Sequence, residues 1–211
     1  MRYYKFPKWL KRFYPGAIWD FFLPDTQTKT IYLTFDDGPN PTTTDWILSL
    51  LEQHKAKATF FCIGKNVTEH PLLFQRLQQA QHQIGNHTYN HLNGLHTTAA
   101  AYIKDVEKAA AIIPSKLFRP PYGRMKPKQH KLLTEMGFKT VFWTHITYDF
   151  DPDLAASKRI EIALKRVKNN AVVVFHDSSK AFPQLEKELP LLLKEWTAAG
   201  FVFKAIPTVN C

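Results

Sequence analysis

Residues 30–39 have the sequence TIYLTFDDGP. Six β-branched, aromatic or aliphatic residues run directly into two acids and a Gly-Pro break. This pattern predicts a buried strand that carries Asp36 and Asp37 at its carboxyl end, where α/β proteins hold their chemistry. Because neighbouring carboxylates repel each other, a cation is expected beside them. Taken alone, the motif would also fit an Asp-Gly-Pro turn that caps a helix.

Length and composition predict one globular domain. The 211 residues are enough to bury about 70% of the surface of the unfolded chain. A hydrophobic content of 45% and a charged content of 22% are ordinary, and no internal repeat is present. The two cysteines, Cys62 and Cys211, do not have the spacing of a metal or redox motif. Cys62 lies in an apolar run, so we interpret it as a core residue.

The formal net charge of +10 raises the question of a nucleic acid partner. Lysine and arginine are spread over 5–12, 124–131 and 158–168 instead of forming one basic arm. The last two stretches are typical of solvated helix faces, so we predict no nucleic acid binding. An acidic glycan, or a glycan beside an anionic membrane, suits this charge equally well.

The first residues of the chain differ in character from the rest. Residues 1–24 are aromatic and basic, and we interpret them as a segment that caps a globular domain of residues 25–211. A contact with a membrane surface is the alternative. The uncharged run 13–19 is too short for a signal-peptide core or a membrane span. A cytoplasmic or membrane-associated location is therefore expected, unless a signal has been removed.

Apolar periodicity predicts that helices and strands alternate after the first strand. Helices are predicted over 41–51, from 71 onward, 99–113, 126–136, 154–167 and 182–199. Strands are predicted over 58–63, 83–85, 117–118, 139–143, 171–175 and 201–204. Such alternation implies parallel strands joined by right-handed crossovers. We predict an α/β fold, a distorted (β/α) barrel of about seven parallel strands, because polar clusters after several strands must converge at one mouth.

A second polar cluster is GNHTYNH, residues 85–91. Histidines four residues apart share one face of a helical turn, so His87 and His91 could bind a single ion. With one acid from Asp36 and Asp37 they form a set of two histidines and one carboxylate, which predicts a metal site. A His-x-x-x-His spacing alone is weak evidence. The same ligand set also serves non-haem iron oxygenases.

Three further clusters follow predicted strands. FRPPYG, residues 118–123, is a rigid turn that holds Arg119 and presents backbone amides at Tyr122 and Gly123. Residues 143–150 end in Asp149 and Phe150, and the apolar strand of VVVFHD, residues 172–177, ends in His176. Polar residues at so many strand ends indicate one shared site.

These motifs resemble those of the polysaccharide deacetylases with the NodB homology domain, which form carbohydrate esterase family four. The resemblance covers about 30–204, and TFDDGP, HTxxH and RPPYG occur in the order of the family. It implies a metal-dependent N-deacetylase, and it implies a role for each of the following positions: Asp37, His87 and His91 as metal ligands, Asp36 as general base, Arg119 as its tether, the Tyr122 amide as part of an oxyanion site, His176 as general acid and Asp149 as the residue that orients it.

The chain departs from the family pattern at three positions. Ile146 stands where the family has an earlier Asp, Phe150 where it has Trp, and Val174 where it has Leu. With Pro121 and Tyr122, Phe150 and Val174 are expected to line the substrate pocket, so the resemblance leaves the acyl group and the polymer open. His145 has no counterpart in the family, and we interpret it as a rim residue with its hydrogen bonds satisfied.

We therefore predict metal-dependent removal of acetyl groups from a peptidoglycan-like or chitin-like N-acetylglucosamine polymer by a monomeric enzyme. The cofactor is predicted to be a divalent cation, zinc first, with cobalt, manganese or nickel as substitutes. Three alternatives remain open: an O-acetyl esterase acting on a xylan-like glycan, a non-haem iron oxygenase, and a carbohydrate-binding module on an inactive scaffold. The oxygenase would leave four residues without roles: Asp36, Arg119, Asp149 and His176. The binding module would be expected to have lost a metal ligand or the base.

Overall fold

The computed structural model describes residues 4–5, 8–21 and 28–207. Cys211 and residues 1–3, 6–7 and 22–24 of the predicted amino-terminal segment lie outside the described residues. The described part contains eight strands: β1 Lys29–Asp36, β2 Thr59–Cys62, β3 Gln83–Asn86, β4 Leu117–Phe118, β5 Lys139–Thr140, β6 His145–Ile146, β7 Ala171–His176 and β8 Phe201–Lys204.

Seven α-helices lie between these strands: α1 Thr44–Gln53, α2 Gly64–Glu69, α3 Pro71–Gln79, α4 Ala99–Ala110, α5 Pro127–Glu135, α6 Ala156–Arg166 and α7 Phe182–Ala198. Three 3-10 helices cover Lys8–Phe13, Gly94–His96 and Pro121–Gly123. Both counts refer to the described residues.

The strands form one curled parallel sheet. Their order is β5-β4-β3-β2-β1-β7-β6, and β8 pairs with the amino-terminal half of β1. All the strand pairs among the described residues are parallel. The predicted single-domain α/β barrel is therefore confirmed, and it has the form of an open, curled barrel.

The side chains of β1 divide the core into two parts. Ile31, Leu33 and Phe35 pack under the surrounding helices, whereas Tyr32 contacts the apolar cluster inside the curl of the sheet. This division follows from the alternation of side chains along a strand. All the side chains of β1 except the first are buried, so the strand holds Asp36 rigidly.

Predicted and observed helix boundaries agree within three residues wherever both ends of a helix were predicted. The periodicity missed two short elements. α2 buries only Gly64 and Val67 and has no long apolar stripe, and β6 has only two residues. The predicted strand 139–143 is also too long. It ends at Thr140, because Val141 forms an isolated bridge with Ile18 of the amino-terminal segment.

The described part of the amino-terminal segment packs on the barrel beside β5. The buried ring of Trp19 stacks on Phe142 with centroids 4.2 Å apart. The hydroxyl of Tyr14 donates to the Met125 carbonyl oxygen at 2.7 Å. Cys62 is a buried free cysteine, as predicted. Among the described residues, no helix combines the length and the hydropathy needed to cross a bilayer.

Candidate active site

The polar clusters meet at the carboxyl ends of four strands of the sheet, which form two adjacent pairs, β3 with β4 and β1 with β7, separated by β2. β1 ends in Asp36 and β7 in His176, and the two residues are partners in the register of the sheet. His87 follows β3, and Arg119 follows β4. Because the strands are parallel, all four side chains start from the same edge of the sheet.

Asp37, His87 and His91 form a compact cluster of potential metal ligands. One ligand atom from each lies within 4.8 Å of the others. Asp37 Oδ1 is 3.2 Å from His91 Nε2 and 3.7 Å from His87 Nε2. The structure therefore brings the three predicted ligand residues to one point.

The route by which the two histidines meet differs from the prediction. They were expected on one turn of a helix, but residues 87–93 are irregular. Thr88 and His91 have φ angles of 63° and 55°, in the left-handed region. These two residues bend the loop so that the imidazole rings lie with centroids 5.1 Å apart. The helical explanation of the spacing is therefore wrong.

The tautomer of His87 suits a metal ligand. His87 Nδ1 lies 2.7 Å from the carbonyl oxygen of Arg119. A carbonyl oxygen can only accept, so Nδ1 carries the hydrogen and the lone pair lies on Nε2, toward Asp37. Burial also lowers the pKa of His87 to about 4, although Asp36 opposes this effect. The ring is therefore neutral at pH 7, as a metal ligand must be.

The environment of the Asp37 carboxylate also suits a cation ligand. Its Oδ1 is buried and accepts no well-formed hydrogen bond from the described residues. Burial alone would raise the pKa of Asp37, but His91, His176 and His87 together lower it well below the ordinary value. Asn66 Nδ2 donates to the Asp37 carbonyl oxygen at 2.7 Å and fixes the backbone, which has a φ of 82°. An ionised, unpartnered oxygen beside two imidazole nitrogens fits a divalent cation.

Arg119 holds Asp36 from beneath. The guanidinium is completely buried and lies 4.1 Å from the centroid of the Phe61 ring. Nη1 donates to Asp36 Oδ1 and to Thr34 Oγ1, each at 2.7 Å. Nε and Nη2 donate to the carbonyl oxygens of Val141 and Phe142.

The Arg119–Asp36 pair has a single hydrogen bond. An arginine fork can form two parallel hydrogen bonds with a carboxylate, but only one nitrogen of Arg119 reaches Asp36. Asp36 Oδ2 accepts no hydrogen bond from the described residues, so it remains available to take a proton.

His176 and Asp149 form a second buried pair. Asp149 Oδ1 accepts from His176 Nδ1 and its Oδ2 accepts from the His176 backbone N–H, both at 2.7 Å. Burial by itself would lower the pKa of His176, but Asp149 outweighs it, and Asp37 and Asp36 add smaller contributions. The result is a pKa raised to about 9, so the ring is protonated at neutral pH.

The residues predicted to line the substrate pocket differ in their exposure to solvent. The Tyr122 side chain is 60% exposed, and its ring lies 4.6 Å from that of His91. Pro121 is buried beneath it. The Phe150 ring stands edge-on to His176 at 4.8 Å. Val174, in contrast, is completely buried in the cluster inside the barrel, so it supports the site without facing solvent.

One of the two expected amide donors is not available. Gly123 N–H donates to the Pro120 carbonyl oxygen at 3.0 Å and is therefore occupied. Tyr122 has a φ of 60°, and its N–H makes no hydrogen bond with the described residues. Only the Tyr122 amide remains for an oxyanion.

His145 does not have the satisfied environment that was expected. It is 2% exposed, and neither ring nitrogen has a hydrogen-bond partner among the described residues. Its neighbour Ile146 is half-buried in β6, and the Ile146 N–H donates to the carbonyl oxygen of Tyr4. The interpretation of His145 as a satisfied rim residue is therefore wrong.

Sequence reasoning missed Asp105. This buried residue of α4 accepts hydrogen bonds from the backbone N–H groups of Tyr89 and Asn90 at 2.8 and 2.9 Å, and from the Asn90 side chain. It thereby holds the loop that carries His91. A signal was present, because Asp105 lies three residues after Tyr102 on the buried face of the helix. A carboxylate on an apolar face needs partners.

Asp177 was also missed. It accepts hydrogen bonds from the hydroxyls of Thr43 and Thr44, and its backbone N–H donates to the Asp36 carbonyl oxygen at 2.7 Å. Burial raises the pKa of Asp177 to about 7 despite these hydroxyls. A Cβ atom on Gly38 would collide with the Asp177 carboxylate. This contact explains the glycine after the paired acids.

The fold and the site together define an α/β-barrel enzyme of hydrolytic type. A candidate metal cluster stands at the carboxyl edge of the sheet, beside a carboxylate held by arginine and an imidazolium held by a second carboxylate. Such a combination provides a Lewis acid site, a base and an acid at the same end of the barrel.

Comparisons with known proteins identify the family. Residues 24–141, more than half of the 211 residues, match the family described as polysaccharide deacetylase. The chain is 34% identical over 187 residues to a peptidoglycan-N-acetylglucosamine deacetylase of Bacillus cereus, covering 84% of this chain and 86% of that protein. It is 30% identical over 197 residues to the peptidoglycan-N-acetylmuramic acid deacetylase PdaA of Bacillus subtilis, covering 88% of this chain and 73% of that protein.

A solved structure agrees with this result. The crystal structure of the Bc1960 peptidoglycan N-acetylglucosamine deacetylase, in complex with 4-naphthalen-1-yl-N-oxidanyl-benzamide, has a TM-score of 0.81, 29% identity and 94% coverage of both chains. The chain therefore belongs to the polysaccharide deacetylase family. It is a hydrolase of the class that acts on carbon–nitrogen bonds other than peptide bonds.

Proposed function

We propose that this chain removes acetyl groups from the N-acetylated amino sugars of peptidoglycan in a reaction that depends on a divalent cation. The observation that carries the proposal is the position of the Asp37, His87 and His91 cluster beside two separately held proton-transfer groups. The names of the relatives, which act on N-acetylglucosamine or N-acetylmuramic acid of peptidoglycan, support the choice of polymer.

Asp37, His87 and His91 are the proposed holders of the cation, with zinc as the first candidate. Nitrogen and oxygen donors of this kind suit zinc, and cobalt, manganese and nickel bind the same donor types. When bound, such a cation polarises a carbonyl oxygen and makes water more acidic. The neutral His87 ring and the ionised Asp37 are already in the protonation states that binding requires.

Asp36 is the proposed general base. Its Oδ1 is held by Arg119, and its Oδ2 is available to take the proton of the attacking water. The hydrogen bond from the buried guanidinium keeps the carboxylate in one place. Arg119 is therefore a positioning residue, because it acts through Asp36.

His176 is the proposed general acid. Nδ1–H is occupied by Asp149, so the proton to be transferred is the one on Nε2. The raised pKa keeps the ring protonated at neutral pH, and an amine leaving group must receive a proton to depart. The Tyr122 N–H is the proposed donor to the developing oxyanion.

Two alternatives lose support from these findings. Membership of the deacetylase family removes the reason to consider a non-haem iron oxygenase. An inactive binding module is disfavoured because each predicted ligand and each proton-transfer group is present in the assembled site. An O-acetyl esterase remains a competing activity, because an ester would use the same base and the same cation.

Acetate release tests the proposal. The metal-depleted protein should be inactive on peptidoglycan and regain activity with zinc, and Asp36→Asn should remain inactive after the same treatment. Chitin oligomers and acetylated xylan serve as competing substrates. Activity that survives complete metal removal would refute metal dependence. A preference for acetylated xylan over both N-acetylated polymers would refute the proposed N-deacetylation.

A further inference from the structure

A second cavity of about 390 Å³ lies away from the candidate active site. Its lining comes from residues 4–5, the beginnings of β6 and β7, the end of α6 and the loop before β7. Ala171, at the beginning of β7, lines the cavity, whereas His176 ends the same strand. At the usual rise along a strand, the two positions are about 17 Å apart. None of the residues assigned to the active site lines this cavity.

The wall of the cavity contains three buried polar side-chain atoms that have no hydrogen-bond partner among the described residues. Both ring nitrogens of His145 and the Oδ1 atom of Asn170 are buried and make no hydrogen bond with the described residues. Burial, reinforced by Arg166, lowers the pKa of His145 to about 4. At neutral pH the ring therefore has one donor and one acceptor nitrogen. Buried polar groups are almost always paired, so a wall of this kind is typical of a binding site.

Positive charge surrounds these groups. Lys5, Arg166 and Lys168 line the cavity and are exposed, and Asp20 is the only acid among its described lining residues. The Asp20 carboxylate lies 3.7 Å from Lys11, which partly neutralises it. The cavity therefore has a net positive charge and favours an anion.

Aromatic packing holds the cationic side of the cavity in place. The Arg166 guanidinium lies 5.2 Å from the centroid of the Tyr4 ring, and Tyr4 in turn stacks on His145 with centroids 5.8 Å apart. The Tyr4 carbonyl oxygen accepts a hydrogen bond from Ile146 N–H at 3.0 Å, which attaches this part of the chain to β6. Arg166 and His145 thus both pack against Tyr4, and both line the cavity.

We propose that this cavity is a second binding site, which takes a phosphate ester that also carries hydroxyl groups, such as a glycerol phosphate or sugar phosphate. Arg166 with Lys5 and Lys168 binds the phosphate, since a guanidinium matches the geometry of phosphate oxygens. Asn170 Oδ1 and the unprotonated nitrogen of His145 are acceptors, so they require donors from the ligand. Hydroxyl groups of the ligand provide such donors, whereas the dianionic phosphate group of an ester carries no hydrogen and inorganic HPO4²⁻ carries only one.

Titration calorimetry with glycerol 3-phosphate tests the proposal, with inorganic phosphate and glycerol as separate ligands. We expect saturable binding of one molecule per chain, at least tenfold tighter than that of either fragment. Arg166→Gln and His145→Phe should each weaken binding at least tenfold, whereas deacetylase activity of Arg166→Gln stays unchanged. The matched control is Arg76→Gln on α3, outside the cavity, and Asp36→Asn should bind like the unsubstituted chain.

Flotation with phosphatidylglycerol vesicles distinguishes two sources of the phosphate ester, a soluble molecule and a lipid headgroup. Saturation by free glycerol 3-phosphate assigns a soluble ester, and binding only to vesicles, lost in Arg166→Gln, assigns a lipid headgroup. Neither form of binding, equal binding by Arg166→Gln and Arg76→Gln, or loss of binding in Asp36→Asn would overturn the proposal. Inorganic phosphate that binds as tightly as the ester would overturn the ligand class. If His145→Phe fails to fold, Lys168→Gln at an exposed position replaces it.

Discussion

Replacement of Asp149 by Asn tests whether the His176 imidazolium is the proton donor of the reaction. Asp149 is completely buried and accepts two hydrogen bonds of 2.7 Å from His176, one from the ring and one from the backbone. Asparagine keeps the shape but removes the charge, and its single acceptor oxygen can replace only one of the two hydrogen bonds. His176 should therefore lose its main electrostatic partner and one of these two hydrogen bonds.

The magnitude follows from the pKa of His176. The value of about 9 lies roughly 2.5 above the ordinary 6.5, which corresponds to about 3 kcal/mol in favour of the imidazolium. Asp149 is the largest favourable contributor, and a bound divalent cation would offset the smaller contributions of Asp37 and Asp36. The alkaline limb of the metal-loaded enzyme should therefore lie between 6.5 and 9. Asp149→Asn should move this limb about 1 to 2 pH units toward acid.

The direction of the shift follows from the role of His176 as the proton donor. A proton donor acts only below its pKa, so a lower pKa removes activity at a lower pH. The assay is kcat/KM from about pH 5 to about pH 10, measured on an N-acetylated oligosaccharide and on an activated aryl acetate. His176→Ala should abolish the limb and harm the N-acetyl substrate more, because a phenol leaves without protonation. Asp153→Asn, an exposed change on the following loop, is the matched control.

The reasoning would be refuted by an alkaline limb that stays in place in Asp149→Asn. Equal losses on both substrates in His176→Ala would have the same consequence, because the donor would then be another group. A shift of the limb in Asp153→Asn as large as that in Asp149→Asn would show a general charge effect.

Four other substitutions test the remaining parts of the site. Asp37→Ala should lose bound metal in elemental analysis, whereas Asp36→Asn should retain it and lose turnover; the reverse result would exchange the two acids. Arg119→Lys should lose most activity and lower the midpoint of thermal unfolding, since lysine cannot reach all four buried acceptors and each one left unpaired costs about 1–3 kcal/mol. Asp105→Ala should weaken metal binding roughly tenfold or more in a chelator competition, because the loop that carries His91 loses three hydrogen bonds.

The predictions for Arg119 and Asp105 can each be contradicted by a specific result. Near-normal rates in Arg119→Lys would reduce Arg119 to a source of bulk charge. Glu107→Ala, an exposed change on the same helix as Asp105, should leave metal affinity unchanged. Equal losses in Glu107→Ala and Asp105→Ala would show that the helix as a whole, and not the Asp105 carboxylate, controls the loop.

The sequence by itself determined the α/β architecture and which residues belong to the candidate active site. Hydrophobic periodicity and turn residues are local properties, so they revealed the alternation of helices and strands without any tertiary contact. Parallel pairing then placed every polar strand end at one edge of the sheet, which is why Asp36, His87, Arg119 and His176 could be assigned to one site. The pattern failed for β6 and α2, which are too short to show a period.

Only the tertiary structure decided how these residues interact. Asp36 and Arg119 are 83 positions apart, and their single hydrogen bond depends on strand register and on which carbonyl groups take the other guanidinium hydrogens. The loop that brings His91 to His87 depends on the left-handed backbone angles of Thr88 and His91, which the hydrophobic pattern does not encode. The pKa of His176 depends on burial and on a charge brought close by folding.

The environment of His145 was also not predictable from the local sequence. Its sequence neighbours indicate a barrel rim, but its burial and its stacking on Tyr4 follow from the way the amino-terminal segment packs beside β6. A cavity is a property of atoms that are distant along the chain, and no local pattern records it. Composition and motif therefore predicted which residues meet at the strand ends. Packing alone decided their distances, their protonation and the second cavity.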